Sequence, residues 1–154
     1  MAVFLDDIDR KILSILQRDG KYANTDLAKE VGLSPSPCLR RVHLLEESGA
    51  INGYTALLNP EFLGIHFEIF VRVTLDRHDT KSVGVFTKVI KKTSRVMECH
   101  TLAGDCDFLL RVVAADLADY QDFLMKELSQ IPGVRNVKTE IPLETIKKTT
   151  AYPV

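Results

Sequence analysis

The sequence predicts an α+β chain in two parts: a helical amino-terminal third, then a domain of element order βαββαβ. Three observations predict it. Up to Gly49, apolar residues recur at helical spacing. From Phe67 onward, period-two stretches appear in four places, with two helical stretches between them. The 154 residues, 45% hydrophobic and 27% charged, have ordinary globular composition and suffice for one domain or two small ones.

Asp6 can cap a first helix whose apolar face is Ile8, Ile12, Ile15 and Leu16, with Asp19-Gly20 as its end. Asn24 or Thr25 is placed to cap a short second helix through Leu27, Ala28 and Val31, and Gly32 stands where a left-handed residue is wanted. One residue later Ser34 caps a third helix. Pro35 takes its first position, where a missing N–H costs nothing, and Pro37 still lies in the first turn. Gly49 stops it. A short helix, a tight glycine-bearing turn and a longer helix form the helix-turn-helix arrangement, and Ala28 is small where the two helices must approach.

At about 100° per residue the third helix has two faces. Cys38, Val42 and Leu45 fall in one sector and face the core, which makes Cys38 a small core residue. Ser36, Arg40, His43 and Glu47 fall opposite. From Pro35 to Leu45 the only charged residues are Arg40 and Arg41. The candidate DNA-contacting residues are therefore Ser34, Ser36, Pro37, Arg40, Arg41 and His43, on a helix whose N-terminus can take a phosphate. Arg40 lies mid-face and can reach a guanine edge. Arg41 lies on the flank beside the core sector, where it serves as a structural ion pair or a phosphate clamp.

Ile51–Leu58 reads as an extended linker ended by Asn59-Pro60. Phe67–Leu75 alternates as a strand, and Val83, Phe86, Val89 and Ile90 mark a helix. Val96–Leu102 and Phe108–Val113 are two strands joined around Gly104-Asp105-Cys106-Asp107. Asp116 caps a second helix, and Pro132-Gly133 turns the chain into a fourth strand, Val134–Ile141. This is the ferredoxin-like order, with both helices on one face of an antiparallel sheet. The other face offers Phe70, Leu109 and Val113 around Arg111, too apolar to stay exposed, so two copies are expected to pair sheet to sheet as a dimeric α+β barrel.

Charge and composition exclude several classes. Twenty Lys and Arg against 21 Asp and Glu give a net charge of −1, so the chain does not coat nucleic acid or membrane by charge alone. No apolar run is long enough to span a bilayer, and Met1–Arg10, with Asp6, Asp7 and Asp9, is no signal peptide; the expected compartment is the cytoplasm. Three cysteines make no disulfide framework. Cys99 and His100 are adjacent in a strand and point to opposite faces, so with Cys106 they offer no metal ligand set. His66, His78, Asp79 and His100 have no spacing that assembles a catalytic site. Neither a metal nor a cofactor is expected. A small barrel enzyme and a ligand-sensing module without DNA binding are the alternatives, and the helix-turn-helix has no role in the first.

Several segments resemble one family, the leucine-responsive regulatory protein / asparagine synthetase regulator (Lrp/AsnC, feast/famine) regulators. Leu33–Val42 resembles the start of its recognition helix, Gly53–Pro60 its interdomain linker, Gly104–Asp107 the turn of its effector domain and Ile146–Thr150 its C-terminal strand. The resemblance covers essentially the whole chain. It implies a non-enzymatic, sequence-specific transcription regulator that binds double-stranded DNA and responds to an amino-acid effector. It implies a helix-turn-helix domain over 1–52, a linker strand over 53–62 and an effector-binding and oligomerisation domain over 63–154. A homodimer assembling to tetramers or octamers is expected. Carried over, the effector residues are Leu102, Gly104, Asp105 and Asp107, with Thr139 and Ile141 on the last long strand. Aspartates also suit tight turns for their own sake, so ordinary turn chemistry stays open for Asp105 and Asp107. One departure is Cys106, which stands where the family usually has an aromatic.

Overall fold

The computed structural model describes residues 4–154; the first three residues of the acidic Met1–Arg10 stretch lie outside it. The chain forms two compact units, one of residues 1–57 with 146–154 and one of residues 58–145.

The first unit holds α1 (Asp7–Leu16), α2 (Asn24–Val31) and α3 (Pro35–Glu47). Asp6 caps α1 through a capping box: its carboxylate accepts from the Asp9 N–H, and the Asp9 carboxylate accepts from the Asp6 N–H. The helix ends at Leu16 with Gln17 as its cap, earlier than Asp19-Gly20 suggested, and Asp19 instead turns the chain by accepting from the Lys21 N–H. The cap of α2 is Ala23, not Asn24 or Thr25. Gly32 is left-handed (φ +73°), and the Leu33 N–H returns to the Ala28 carbonyl at 2.8 Å. Ser34 holds the cap position of α3 without a side-chain capping bond. The three helices bury Ile12, Leu27, Ala28, Cys38, Val42 and Leu45 in one core. Burial raises the Cys38 thiol pKa, so its inertness follows from its site.

The second unit has the predicted βαββαβ order: β1 (Phe67–Leu75), α4 (Thr80–Ile90), β2 (Val96–Thr101), β3 (Phe108–Ala114), α5 (Leu117–Lys126) and β4 (Val134–Glu140). β2 and β4 each end one residue before the sequence reading placed them. The antiparallel sheet runs β2-β3-β1-β4. Its inward residues alternate as expected: Ile69, Val71, Val73 and Leu75 on β1, and Phe108, Leu110 and Val112 on β3. Phe86 of α4 stacks on Phe108 at 4.5 Å between ring centroids. Asp79 and Asp116 cap α4 and α5.

The linker and the tail differ from expectation. Residues 53–59 form no strand, and a 3₁₀ turn, Pro60–Leu63, follows. Ile146–Thr150 is not a strand either. The tail 146–154 belongs to the helical unit, where the Gln17 side-chain amide pairs with the backbone of Tyr152 in both directions, at 2.9 and 2.8 Å. In the same unit Tyr54 lies over Gly20, where an added Cβ would meet its ring at 2.9 Å, and its hydroxyl donates to Glu46 at 2.9 Å. Burial, then this bond, raises the Tyr54 pKa to about 12.

Candidate nucleic-acid interface and effector turn

α3 presents one face to its core and one to solvent. Cys38, Val42 and Leu45 are buried; Ser34, Ser36, Pro37, Arg40 and His43 are exposed. Among the described residues Arg40 has no ion-pair partner, so its five donors are free for a ligand. The helix N-terminus is less rich in donors than its position suggests. Pro35 and Pro37 have no N–H, and the Cys38 N–H bonds the Ser34 carbonyl, which leaves Ser36 as the free backbone donor of the first turn. Sequence reasoning missed Leu44, which is 56% exposed about 40° around the helix from Arg40. With Arg40 and Phe4 it lines a groove of about 330 Å³. An apolar side chain there suits a thymine methyl group. Its helical angle was the signal.

Arg41 is held inward. Its guanidinium donates to Asp6 at 2.7 Å and to Asp9 at 2.8 Å, tying α3 to the capping box of α1. The Asp6 pKa is lowered, first by the Asp9 N–H and then by Arg41. Two adjacent arginines thus differ in kind: Arg40 faces solvent alone, and Arg41 is a structural ion pair.

The connection from β2 to β3 exposes Leu102, Gly104 and Asp105 together. Asp105 makes no hydrogen bond or ion pair among the described residues. Asp107 is engaged twice: one oxygen accepts from the Leu75 N–H at 2.7 Å and the other meets His78 Nδ1 at 2.8 Å. The Leu75 N–H, ahead of His78, lowers its pKa. Its own N–H bonds the Val73 carbonyl. Asp107 therefore staples the turn to β1, while Asp105 is free. Cys106 is buried beneath the turn. Thr139 lies on β4, the opposite edge strand from β2, and its hydroxyl pairs with Tyr120 at 2.6 Å. Ile141, just past β4, is 43% exposed. Within one chain the turn residues cluster; Thr139 and Ile141 stand apart on the far edge.

On the sheet face away from the helices, Phe70, Leu109 and Val113 are half-buried around Arg111. Arg111 bridges Glu98 of β2, at 2.7 Å, and Glu68 of β1, at 3.2 Å. The Arg111 guanidinium is the first cause of the lowered Glu98 pKa. Among the described residues no group of three His, Cys, Asp or Glu is arranged to hold a metal ion, and no helix is long and apolar enough to cross a membrane.

Comparison with known proteins accounts for both parts. Residues 5–46 match the AsnC-type helix-turn-helix domain, and residues 68–152 match the Lrp/AsnC ligand binding domain. The chain is 43% identical over 144 residues to the leucine-responsive regulatory proteins of Klebsiella pneumoniae and Escherichia coli K12, covering 94% of this chain and 88% of theirs. Its structure is similar to that of a Neisseria meningitidis transcriptional regulator in complex with L-methionine: TM-score 0.93, 36% identity, 97% of each chain covered. It is also similar to a feast or famine regulatory protein from M. tuberculosis complexed with L-methionine, with TM-score 0.81, 29% identity, and 97% of this chain and 99% of that one covered. The chain belongs to the Lrp/AsnC family of helix-turn-helix transcription regulators.

Proposed function

We propose that this regulator reads double-stranded DNA with the outward face of α3 and answers to an amino acid held at the β2–β3 turn. The observation that carries the DNA reading is the contrast between the two arginines. With no carboxylate between Pro35 and Leu45, Arg40 is free to read a base, with Ser34, Ser36, Pro37 and His43 placed for phosphate or base contacts. Arg41 supports the helix through α1 and does not take part in reading.

For the effector, the free carboxylate of Asp105 suits an ammonium group, and the turn offers the Gly104 N–H to a carboxylate, beside Leu102, whose own N–H bonds the Asp107 carbonyl at 2.9 Å. Asp107 holds that turn in shape. Two relatives carry L-methionine, which makes an amino acid the first ligand class to try. Thr139 and Ile141 lie on the opposite edge, so they join such a pocket only when a second copy brings its β4 edge to the turn. The half-buried Phe70, Leu109 and Val113 support a homodimer paired through the sheets, from which tetramers or octamers can be built. We place the protein in the cytoplasm, where DNA is.

Selection of bound duplexes from a random-sequence pool tests the DNA reading; enrichment of a two-fold-related site is expected. Thermal-shift screening of the twenty amino acids tests the effector reading, since a ligand of the native state at a hundredfold excess over Kd adds about 2.7 kcal/mol. No enriched sequence, or no shift with any amino acid, overturns the corresponding half.

A further inference from the structure

We infer that Asn24 is a positioning residue for DNA recognition, the donor of the second of two hydrogen bonds that, above the shared core, fix the start of α3 against α2; this rests on the DNA reading above. Asn24 is the first residue of α2, where a side chain ordinarily serves its own helix end. Here it reaches across instead. Its Nδ2 donates to the carbonyl of Pro35, the first residue of α3, at 2.9 Å. The cost is visible in the same side chain: its Oδ1 is buried with no hydrogen-bond partner. A buried acceptor left unpaired disfavours the folded state, so the bond to Pro35 is held against a penalty.

The start of α3 has few other anchors. Ser34 makes no capping bond, and Pro35 and Pro37 have no N–H to offer. The turn supplies one attachment, the Leu33 N–H on the Ala28 carbonyl, beside the left-handed Gly32. Apolar packing of Leu27, Ala28 and Val31 on Cys38, Val42 and Leu45 is non-directional, so the hydrogen bonds at the two ends of α2 set the angle at which α3 leaves the turn. The Asn24–Pro35 bond joins the opposite end of α2 to α3 and narrows the range of that angle. The crossing angle of the two helices decides where Arg40 and His43 meet a groove when α2 rests on the phosphate backbone. Asn24 thus acts on base reading through α3 without touching a base.

Asn24→Asp separates this role from an ordinary structural one. The substitution keeps size and shape, removes the donor and sets a carboxylate against the Pro35 carbonyl. At the first position of α2 a negative charge favours the helix dipole, so α2 itself is not weakened. The full-length protein would be assayed on the duplex that wild type selects from a random pool and on a scrambled duplex of the same composition. Asn24→Asp should lose about tenfold or more on the selected duplex and less than about threefold on the scrambled one, because phosphate contacts remain. Its melting temperature should fall by at most a few degrees, and binding measured well below it separates the loss of selectivity from unfolding. Asn24→Ala, with neither donor nor carboxylate, should lose selectivity in the same way. Unchanged selectivity in Asn24→Ala, equal losses on both duplexes, or a lowered melting temperature that accounts for the loss would each overturn the inference. A wild-type protein that selects no sequence would instead sink the DNA reading, and this inference with it.

Discussion

Leu45→Ala should destabilise the helical unit and leave the sheet unit folded. Leu45 is 3% exposed and stands on the core face of α3, one residue after the exposed Leu44. The substitution removes three buried carbons, about 2.4 kcal/mol at roughly 0.8 per carbon, and the cavity left behind raises the loss toward 3–5 kcal/mol. The unit formed by residues 1–57 and 146–154 is small. At about 0.05–0.15 kcal/mol per residue it holds roughly 3–10 kcal/mol in all. One truncation therefore removes between a third and the whole of its stability. The sheet unit has its own core, and Leu45 is no part of it. Thermal unfolding followed by far-UV circular dichroism should show an early helical transition, DNA binding should vanish well below the wild-type melting temperature, and sizing should show the oligomer intact. Leu44→Ala is the control, with a stability change within about 0.5 kcal/mol. A Leu45→Ala protein that melts like wild type refutes the inward face of α3 and the assignment of outward residues that depends on it.

Three further expectations follow from the same contacts. Arg41→Ala should lower the melting temperature of the helical unit by at most about a few degrees, less at high salt, and leave the sequence preference unchanged; a uniform loss on every duplex with unchanged melting would make Arg41 a phosphate clamp. Val113→Glu should raise the dimer dissociation constant about a hundredfold or more, because like charges would meet unpaired between sheets, a cost of roughly 3–5 kcal/mol; sedimentation at micromolar concentration shows whether the dimer survives. The folded-state pKa of Asp107 lies below its ordinary 3.8, so its contribution is complete above that value and is lost as pH falls through the folded value; Asp107→Asn should flatten that acid limb in a pH series of melting curves, and an unaltered limb would show the Leu75 and His78 contacts to be inconsequential.

What was legible in the sequence was local. The period of the apolar residues located the α-helices and the four strands of the sheet but neither 3₁₀ turn, Gly32 announced its left-handed turn, and the angular positions of Cys38, Val42 and Leu45 divided α3 into its two faces. Arg41 was legible as a flank residue because only its angle mattered; its partners Asp6 and Asp9 lie more than thirty positions away and were not. The errors share that cause. Asn24 looked like a cap, but its side chain serves a carbonyl on another helix. Asp105 and Asp107 looked alike, and only the approach of Leu75 and His78 separates the bound carboxylate from the free one. The tail resembles the family's C-terminal strand and falls within the matched ligand binding domain, but its pairing with Gln17, 135 positions from Tyr152, is a long-range contact that no local pattern announces.

Base reading by α3, as proposed, rests on Arg40. Binding of wild type and Arg40→Ala to the selected duplex and to its scrambled form, across a salt series, tests it most directly. Arg40→Ala should lose about 1–3 kcal/mol on the selected duplex, with sequence preference relaxed at one position in each half-site, and little on the scrambled duplex beyond one charge. Equal losses on both duplexes, removed by raising the salt, would contradict it and make Arg40 a phosphate contact.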